Sequence, residues 1–285
     1  MRAALLQWYP QTFSTGPAAP GAVAFDGNNI WVTNYLTNTV TKFLASTGAI
    51  VGTYPIGAWS EGIAFDGSNI WVSNSNSNNV TELLASTGAT VGTYAVGASP
   101  FGVAFDGSNI WVANAHSNTV TELQASSGAT VGTYPVGGNP ASVVFDGINI
   151  WVTNYGSNTV TKLLASNGAT VGTFPVGAGP YGIAFDGSNI WVVNNGDCTV
   201  TELAASSGAT VGTYLVGASP CYFAAFDGSN IWVSTGGNGV TKLLASTGAI
   251  VSTYTVGSGT SQLAFDGSNI WVTDFAGVTR IGATK

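Results

Sequence analysis

The stretch Val103-Ala-Phe-Asp-Gly-Ser-Asn-Ile-Trp-Val112 decides the fold, because the rest of the chain repeats it. Its Phe-Asp-Gly core recurs at Phe25, Phe65, Phe105, Phe145, Phe185, Phe226 and Phe265. A Trp-Val pair follows each core, at Trp31, Trp71, Trp111, Trp151, Trp191, Trp232 and Trp271. The cores are 40, 40, 40, 40, 41 and 39 residues apart, so the 285-residue chain is seven copies of one unit. A fixed period in this range is typical of a solenoid or a propeller.

Each copy contains four short β-strand patterns and no helical period. In the third copy these patterns cover residues 102–105, 109–114, 119–125 and 130–136. Asp106 and Gly107 predict the first turn, because Asp can bond the backbone two residues on and Gly accepts a positive φ. Pro135 near the end of the fourth pattern suits an edge strand. Short strands with turn signals at this spacing indicate an all-β protein.

The strands carry apolar residues on both faces, as Ile110, Trp111 and Val112 show. Each small sheet must therefore be covered on both sides, which seven sheets arranged radially can do for one another. We predict an all-β, seven-bladed β-propeller with four-stranded antiparallel blades, forming a single domain over residues 1–285. The seven tryptophans are interpreted as blade-to-blade packing.

The two chain ends predict how the ring closes. The seventh copy stops at its third strand, residues 278–283, and lacks a fourth. Residues 3–10 match residues 128–135, a fourth strand, without gaps. We therefore expect the N-terminal strand to complete the last blade.

The composition excludes several classes of function. Only 7% of residues are charged, against roughly 25% in an average globular domain. The net charge of −7 with six Lys and Arg argues against nucleic acid, which needs a basic face. No apolar run approaches the ~20 residues of a membrane span, so no membrane insertion is predicted.

The location of the protein is predicted less directly. The composition favours an extracellular or cell-surface location. The apolar part of the N-terminus is too short for a signal peptide, so the chain is either cytoplasmic or numbered from a processed start.

Variation among the seven copies is concentrated on one face. The first and third turns barely change, whereas the second turns and the inter-blade links differ in every copy, and residues 11–20 form the longest link. We call this the variable face. Its candidate binding residues are Tyr35, Trp59, Glu61, Phe101, His116, Tyr155, Tyr181, Asn195, Tyr222 and Phe275. A constant scaffold with one diversified face favours binding, and neutral drift in loops is the alternative.

Aromatic rings beside amides and hydroxyls would suit either a glycan or a peptide. The sequence does not separate these two ligands. A monomer without a cofactor is expected.

The segment Val96-Gly-Ala-Ser-Pro-Phe-Gly-Val-Ala-Phe-Asp-Gly, followed by Ile-Trp-Val, resembles the YVTN and NHL propeller repeats. It is also similar to the repeats of the virginiamycin B lyase-like propellers. The resemblance covers the whole chain and implies a seven-bladed propeller of bacterial, secreted type. In these families the face that varies here usually binds ligands. The families include binding scaffolds, surface proteins and a few enzymes, so the resemblance leaves the function open.

Lyase chemistry has few candidate residues in this chain. His116 is the single histidine, and a lone His cannot build a multi-His metal site. The lyases that the chain resembles rely on more than one His and on Glu. Glu61, His116 and Asp197 are the weak catalytic candidates, and they would have to converge over the central channel. No metal is predicted, because each Phe-Asp-Gly turn offers one carboxylate whereas calcium needs six or more oxygens; these aspartates are interpreted as turn caps.

Two further features give testable expectations. Cys198 replaces the Asn found at Asn118 and Asn158, and Cys221 is assigned to the slot of Phe101 and Tyr181. We predict a disulfide between the two cysteines, which would imply an oxidising compartment. The third strands carry charges that we expect to form exposed pairs at the rim, namely Lys42, Glu82, Glu122, Lys162, Glu202, Lys242 and Arg280.

Three functions follow as hypotheses. The first is a non-enzymatic binding propeller for a glycan or peptide, and the second is a lyase-type enzyme. The third is a surface or self-associating structural protein, which the low charge favours.

Overall fold

A computed structural model describes residues 10–16, 19–218 and 220–283, and within them the chain forms 28 strands and no helix. The first strand, β1 (Gln11–Phe13), belongs to the last blade. Blade 1 consists of β2 (Pro20–Phe25), β3 (Asn29–Asn34), β4 (Thr39–Leu44) and β5 (Ile50–Pro55). Blade 2 consists of β6 (Ser60–Phe65), β7 (Asn69–Asn74), β8 (Asn79–Leu84) and β9 (Thr90–Ala95). Blade 3 consists of β10 (Pro100–Phe105), β11 (Asn109–Asn114), β12 (Thr119–Gln124) and β13 (Thr130–Pro135).

Blades 4 to 7 repeat the same antiparallel order of four strands. Blade 4 consists of β14 (Pro140–Phe145), β15 (Asn149–Asn154), β16 (Thr159–Leu164) and β17 (Thr170–Pro175), and blade 5 of β18 (Pro180–Phe185), β19 (Asn189–Asn194), β20 (Thr199–Ala204) and β21 (Thr210–Leu215). Blade 6 consists of β22 (Cys221–Phe226), β23 (Asn230–Thr235), β24 (Gly239–Leu244) and β25 (Ile250–Thr255). Blade 7 consists of β26 (Leu263–Phe265), β27 (Asn269–Asp274) and β28 (Gly277–Gly282), together with β1. The predicted all-β architecture of four-stranded blades is confirmed.

The innermost strand of each blade lies beside the innermost strands of both neighbours. This series runs from β2 through β6, β10, β14, β18 and β22 to β26, and β26 lies beside β2. The seven blades therefore form a closed ring around a central channel, as the period predicted.

The tryptophans join neighbouring blades. All seven are fully buried, and Trp31 of blade 1, for example, packs with Ile63, Ile70 and Leu83 of blade 2. Each Trp Nε1 donates to the aspartate of its own Phe-Asp-Gly turn over 2.7–2.8 Å. The aspartate also accepts backbone N–H groups of its turn, such as those of Ser108 and Asn109 on Asp106. The interpretations of the tryptophans as packing residues and of the aspartates as turn caps are both confirmed.

The N-terminal strand closes the ring, but the segment predicted for it was wrong. The outermost strand of the last blade is β1, in which Gln11 pairs with Arg280 and Phe13 with Val278. Most of the predicted segment, residues 3–9, lies outside the described residues. The predicted link 11–20 is correspondingly shorter, because it begins with β1 and ends where β2 starts.

Packing explains this register. The Phe13 ring lies 5.5 Å from that of Trp271, and its atoms occupy the space next to the Gly48 Cα in blade 1. Tyr54 has the same two neighbours, Trp31 in its own blade and Gly88 in the next.

Six of the seven third-strand charges are buried instead of exposed, and the seventh, Arg280, is partly buried. The Lys and Glu side chains at this position are 2–5% exposed. Glu82, Glu122 and Glu202 accept hydrogen bonds from Tyr94, Tyr134 and Tyr214, at 2.7–2.8 Å. The three lysines donate to backbone carbonyls of the next blade and lie over the tryptophan rings of their own blades, as Lys42 does with Ala85 O at 2.7 Å and Trp31 at 5.1 Å. The expectation of exposed pairs failed because the aromatic residue of the fourth strand and the neighbouring blade together cover this position.

Candidate functional site

The second position of each innermost strand surrounds the channel mouth on the variable face. We call these seven positions the mouth ring, and its members are Gly21, Glu61, Phe101, Ala141, Tyr181, Tyr222 and Ser261. Blades 3, 5 and 6 contribute aromatic rings and blade 2 contributes a carboxylate. The other three blades contribute small residues. The ring is therefore asymmetric although the scaffold repeats.

The register corrects one assignment made from the sequence. Cys221 pairs with Thr235 as Pro180 pairs with Asn194, so Cys221 holds the proline position of the innermost strand. Tyr222 holds the mouth-ring position that was assigned to Cys221. The extra residue of this repeat lies before β22, and this shifts the alignment by one residue.

Aromatic side chains from four blades meet at the mouth. The Tyr181 ring lies at the centre, 5.4 Å from Phe101, 5.9 Å from Tyr155, 6.0 Å from Tyr222 and 5.2 Å from Phe223. All four pairs are edge-to-face, with interplanar angles of 71–80°. We call these five residues the tyrosine cluster. Phe101 and Tyr181 belong to blades 3 and 5, so their rings meet across Ala141 of blade 4.

Glu61 is the carboxylate of the mouth ring. It is partly buried, and no described residue gives its side chain a hydrogen bond or an ion pair. Burial raises the pKa of Glu61 to about 7. Its charge also acts on the hydroxyls of Tyr181 and Tyr35; burial and the Glu61 charge together raise the pKa of each tyrosine. The Glu61 charge therefore acts on one tyrosine in each of two groups of aromatic residues.

The second of these groups is the pair formed by Tyr35 and Trp59. Their ring centroids are 5.0 Å apart, and Trp59 is 49% exposed. Trp59 has a φ of 59°, a left-handed conformation that is unusual for a bulky residue. Equivalent links place the smaller Ser99, Asn139 and Gly179 in this conformation. Strained residues of this kind cluster at functional sites.

The channel beneath the mouth ring is narrow. It holds a cavity of about 170 Å³, lined by all seven blades, including Val23, Ile63, Val103, Val143 and Ile183. This volume is below the roughly 300–1,000 Å³ of a typical small-molecule pocket. A ligand larger than a few atoms would therefore sit mainly above the ring.

Sequence reasoning left Phe223 and Gln262 out of the candidate site. Both line the channel, and the Gln262 amide connects blade 7 to blades 1 and 2 by accepting from Val23 N at 3.3 Å and donating to Glu61 O at 3.2 Å. Both occupy the repeat position that is Gly62, Gly102 or Gly182 in three other repeats. Replacement of glycine at one fixed repeat position was the signal that could have identified them.

Cys198 and Cys221 lie beside this site. Their Cα atoms are 5.1 Å apart, within the range that a disulfide requires, and the structure joins their Sγ atoms. Asn195 Nδ2 donates to Cys221 O at 2.9 Å. These contacts support the chain immediately before Tyr222. Whether the pair is oxidised in solution stays a prediction.

The remaining candidate residues do not join the cluster. His116 is exposed on the second turn of blade 3, and no described residue bonds its imidazole. Asp197 is exposed and bonds its own turn through Thr199 Oγ1 at 2.8 Å. Phe275 is 75% exposed and packs over Gly259. Glu61, His116 and Asp197 are thus not brought together as an acid–base set.

The described residues contain no group of three or more His, Cys, Asp or Glu side chains arranged to hold a metal ion. They also contain no helix with the length and apolar character needed to cross a membrane.

The fold and the position of the site define a seven-bladed β-propeller whose candidate site is the channel mouth. No family model matches the chain, and no curated protein matches it in sequence. Solved structures do match it. Virginiamycin B lyase from Staphylococcus aureus is 17% identical with a TM-score of 0.82, covering 96% of this chain and 98% of that one. A Kuenenia stuttgartiensis hydrazine synthase chain is 19% identical with a TM-score of 0.81, covering 96% and 98%.

A third match is a streptogramin B lyase, 18% identical with a TM-score of 0.79, covering 95% of this chain and 96% of that one. The resemblance to virginiamycin B lyase-like propellers is confirmed in the fold. At these identities the likeness shows the fold alone. The YVTN and NHL assignments stay predictions.

Proposed function

We propose that this protein is a non-enzymatic binding propeller that recognises a peptide at the channel mouth. The observation that carries the proposal is the tyrosine cluster, in which four blades bring aromatic rings to one half-buried place on the variable face. Tyrosine supplies a large, rigid contact area with a polar tip, which is why it is enriched at recognition sites.

A peptide is favoured over a glycan by the state of the amide groups. Sugar hydroxyls need free amide and hydroxyl partners beside an open ring face. Two side-chain amides beside the mouth, those of Gln262 and Asn195, already donate to the backbone carbonyls of Glu61 and Cys221. The edge-to-face packing also covers part of the ring surface that a sugar, with its broad apolar face, would need for stacking. A glycan ligand remains the alternative outcome of the test.

The enzyme hypothesis receives less support. The structural neighbours include virginiamycin B lyases, but the three acid–base candidates lie apart in this chain, and Asp197 is engaged by its own turn. The site offers recognition chemistry and a single titratable carboxylate.

Binding of the folded protein to a peptide and glycan array tests the proposal. We expect peptide binding that Tyr181→Ala abolishes. Alanine should be tolerated at this position, because Ala141 occupies the equivalent position of blade 4. Phe275→Ala is the matched control, since it removes an exposed aromatic residue of the same face outside the cluster. Binding that survives Tyr181→Ala, or an array that stays silent, would overturn the proposal.

A further inference from the structure

The charged side chains of the described residues leave the mouth carboxylate without a partner. The four described cationic side chains, Lys42, Lys162, Lys242 and Arg280, all belong to third strands. Each donates to a backbone carbonyl of the next blade: Ala85 O, Ala205 O, Ala283 O and Ala45 O, at 2.7–3.2 Å. None of them pairs with Glu61, and the one ion pair among described residues joins Lys242 to Asp227. The protein itself therefore provides no described counterion for the mouth carboxylate.

The aromatic neighbours of Glu61 favour a positive charge as well. The face of an aromatic ring carries negative electrostatic potential and attracts ammonium groups. In the tyrosine cluster each ring is turned by 71–80° from the Tyr181 ring. An edge-to-face contact covers at most one face of one ring, so Tyr181 leaves the opposite faces of the four outer rings uncovered. Tyr35 and Trp59 add a second aromatic pair, coupled to the same carboxylate.

The mouth-ring residues differ in size on the two sides of Glu61. Gly21 and Ser261 in blades 1 and 7 have almost no side chain, and they follow Glu61 around the ring on the side away from Phe101. Around the mouth ring, small residues therefore lie on one side of Glu61 and the aromatic Phe101 lies on the other.

We propose that the channel mouth recognises a cationic amine of the bound peptide, with the ammonium group held by the Glu61 carboxylate and the rings of the tyrosine cluster. This inference rests on the proposed binding function and specifies its ligand. An anionic ligand would be repelled by Glu61, and a neutral one would leave the carboxylate without a counterion. A lysine side chain or a free amino terminus offers a cation both to the Glu61 carboxylate and to the neighbouring aromatic rings.

The pH dependence of binding gives an independent readout. Burial raises the pKa of Glu61 to about 7, and its charge acts on the hydroxyls of Tyr35 and Tyr181. A cation binds the ionised form of Glu61, so the affinity for a cationic ligand should rise from pH 6 to pH 8. Below the pKa the loss approaches about tenfold per pH unit.

The test uses three capped peptides that differ at one central residue: lysine, its neutral near-isostere norleucine, or glutamate. Their affinities are measured by isothermal titration calorimetry at pH 6 and pH 8, with tetramethylammonium as a competitor. We expect the lysine peptide to bind at least about tenfold more tightly than the norleucine peptide at pH 8. Competition by tetramethylammonium would show that the amine alone is recognised, and its failure would show that peptide contacts are also required.

Two variants locate the effect. Glu61→Gln should abolish both the preference for lysine and its pH dependence. Because it removes a buried charge, its melting temperature at pH 8 should equal or exceed that of the wild type. Asp197→Asn is the control, since it removes the same charge from an exposed position of the same face and should leave the preference intact.

The possible failures are distinguishable. If the norleucine or glutamate peptide binds as tightly as the lysine peptide, or if Glu61→Gln keeps the preference, the cation proposal is overturned while the binding function stands. If only glycans bind, it is likewise overturned. If no peptide or glycan binds the folded protein, both proposals fail.

Discussion

At the residue scale, the third and fourth strands contain matched pairs of side chains. Every blade with a third-strand glutamate has a tyrosine that donates to it, as Tyr134 donates to Glu122 at 2.7 Å. Blades with a third-strand lysine place either Tyr or Phe at the same fourth-strand position, as in Tyr54 and Phe174. A buried carboxylate requires a hydrogen-bond donor, so the tyrosine hydroxyl is needed only where the partner is acidic.

Tyr134→Phe should therefore destabilise the protein by about 1–3 kcal/mol at pH 7, whereas Tyr54→Phe should change its stability by less than about 0.5 kcal/mol. Burial raises the pKa of Glu122, and the Tyr134 hydrogen bond opposes that rise. A raised pKa means that the protonated carboxyl is the stabilising form, and that its contribution is lost as the pH rises through the folded pKa. Without Tyr134 the pKa rises further, so the deficit should shrink from pH 7 to pH 4. Denaturant unfolding at pH 7 and pH 4 measures the loss of unfolding free energy in each variant. Equal losses in Tyr134→Phe and Tyr54→Phe would show that the hydrogen bond to Glu122 does not stabilise the protein.

At the element scale, one turn position controls how each blade is linked to the next. Asn38, Asn78, Asn118 and Asn158 have φ angles of 52–55°. Their Oδ1 atoms accept backbone N–H groups of the following inter-blade link at 2.8–3.3 Å. Cys198 has the same conformation, with a φ of 52°, but it lacks the amide side chain. The inter-blade link between blades 5 and 6 is one residue longer than the links that join blades 1 to 5. Here the contact between Cys198 and Cys221 replaces the hydrogen bond that asparagine makes to the link in blades 1 to 4.

The cysteine pair should accordingly be oxidised in the native protein. A thiol count under denaturing conditions without reductant is expected to return zero, and reduction should lower the stability by about 3 kcal/mol. The double variant Cys198→Asn with Cys221→Pro, which restores the residues of other repeats, should be more stable than the double alanine variant. A count of two thiols would show that the predicted disulfide does not form.

At the scale of the whole molecule, the repeat explains why the fold was predictable and the site was not. The Phe-Asp-Gly turn and the tryptophan specify contacts within and between blades, so the period alone implied a ring. Positions that depend on a one-residue shift were wrong. Residues 3–10 and 11–14 both resemble a fourth strand, and only the packing of Phe13 on Trp271 and Gly48 separates them. The insertion before β22 similarly displaced Cys221.

The candidate site illustrates a second limit. The sequence singled out Tyr155, Tyr181 and Tyr222 as variable aromatic residues. Their rings come into contact only when blades 4, 5 and 6 are placed side by side in the ring, which the sequence does not show. The sequence also could not show that Glu61 lacks a partner, because the burial of Lys42 and Glu82 depends on the fourth strand and the neighbouring blade. The set of charged side chains that remain free to bind a ligand is therefore decided by the assembled ring and not by one repeat.

The outer rim leads to a prediction about association. The fourth strands of blades 1 to 6 contain no charged residue, and their valines are about half exposed, for example 56% at Val131. Exposed strand edges of this composition can pair with other chains. The net charge of −7 opposes association at neutral pH, and it falls to zero near the sequence pI of about 4.3.

We therefore expect a monomer at pH 7.5 and growing assemblies as the pH approaches 4.5, both measured by light scattering. Val131→Lys should suppress the assemblies, because a charge on an edge strand opposes strand pairing. Ser126→Lys adds the same charge at an exposed turn and should suppress them less. Equal suppression by the two variants would assign association to net charge instead of to the edge strands. A stable oligomer at pH 7.5 would show that the rim associates without charge neutralisation and would favour the structural function over the binding one.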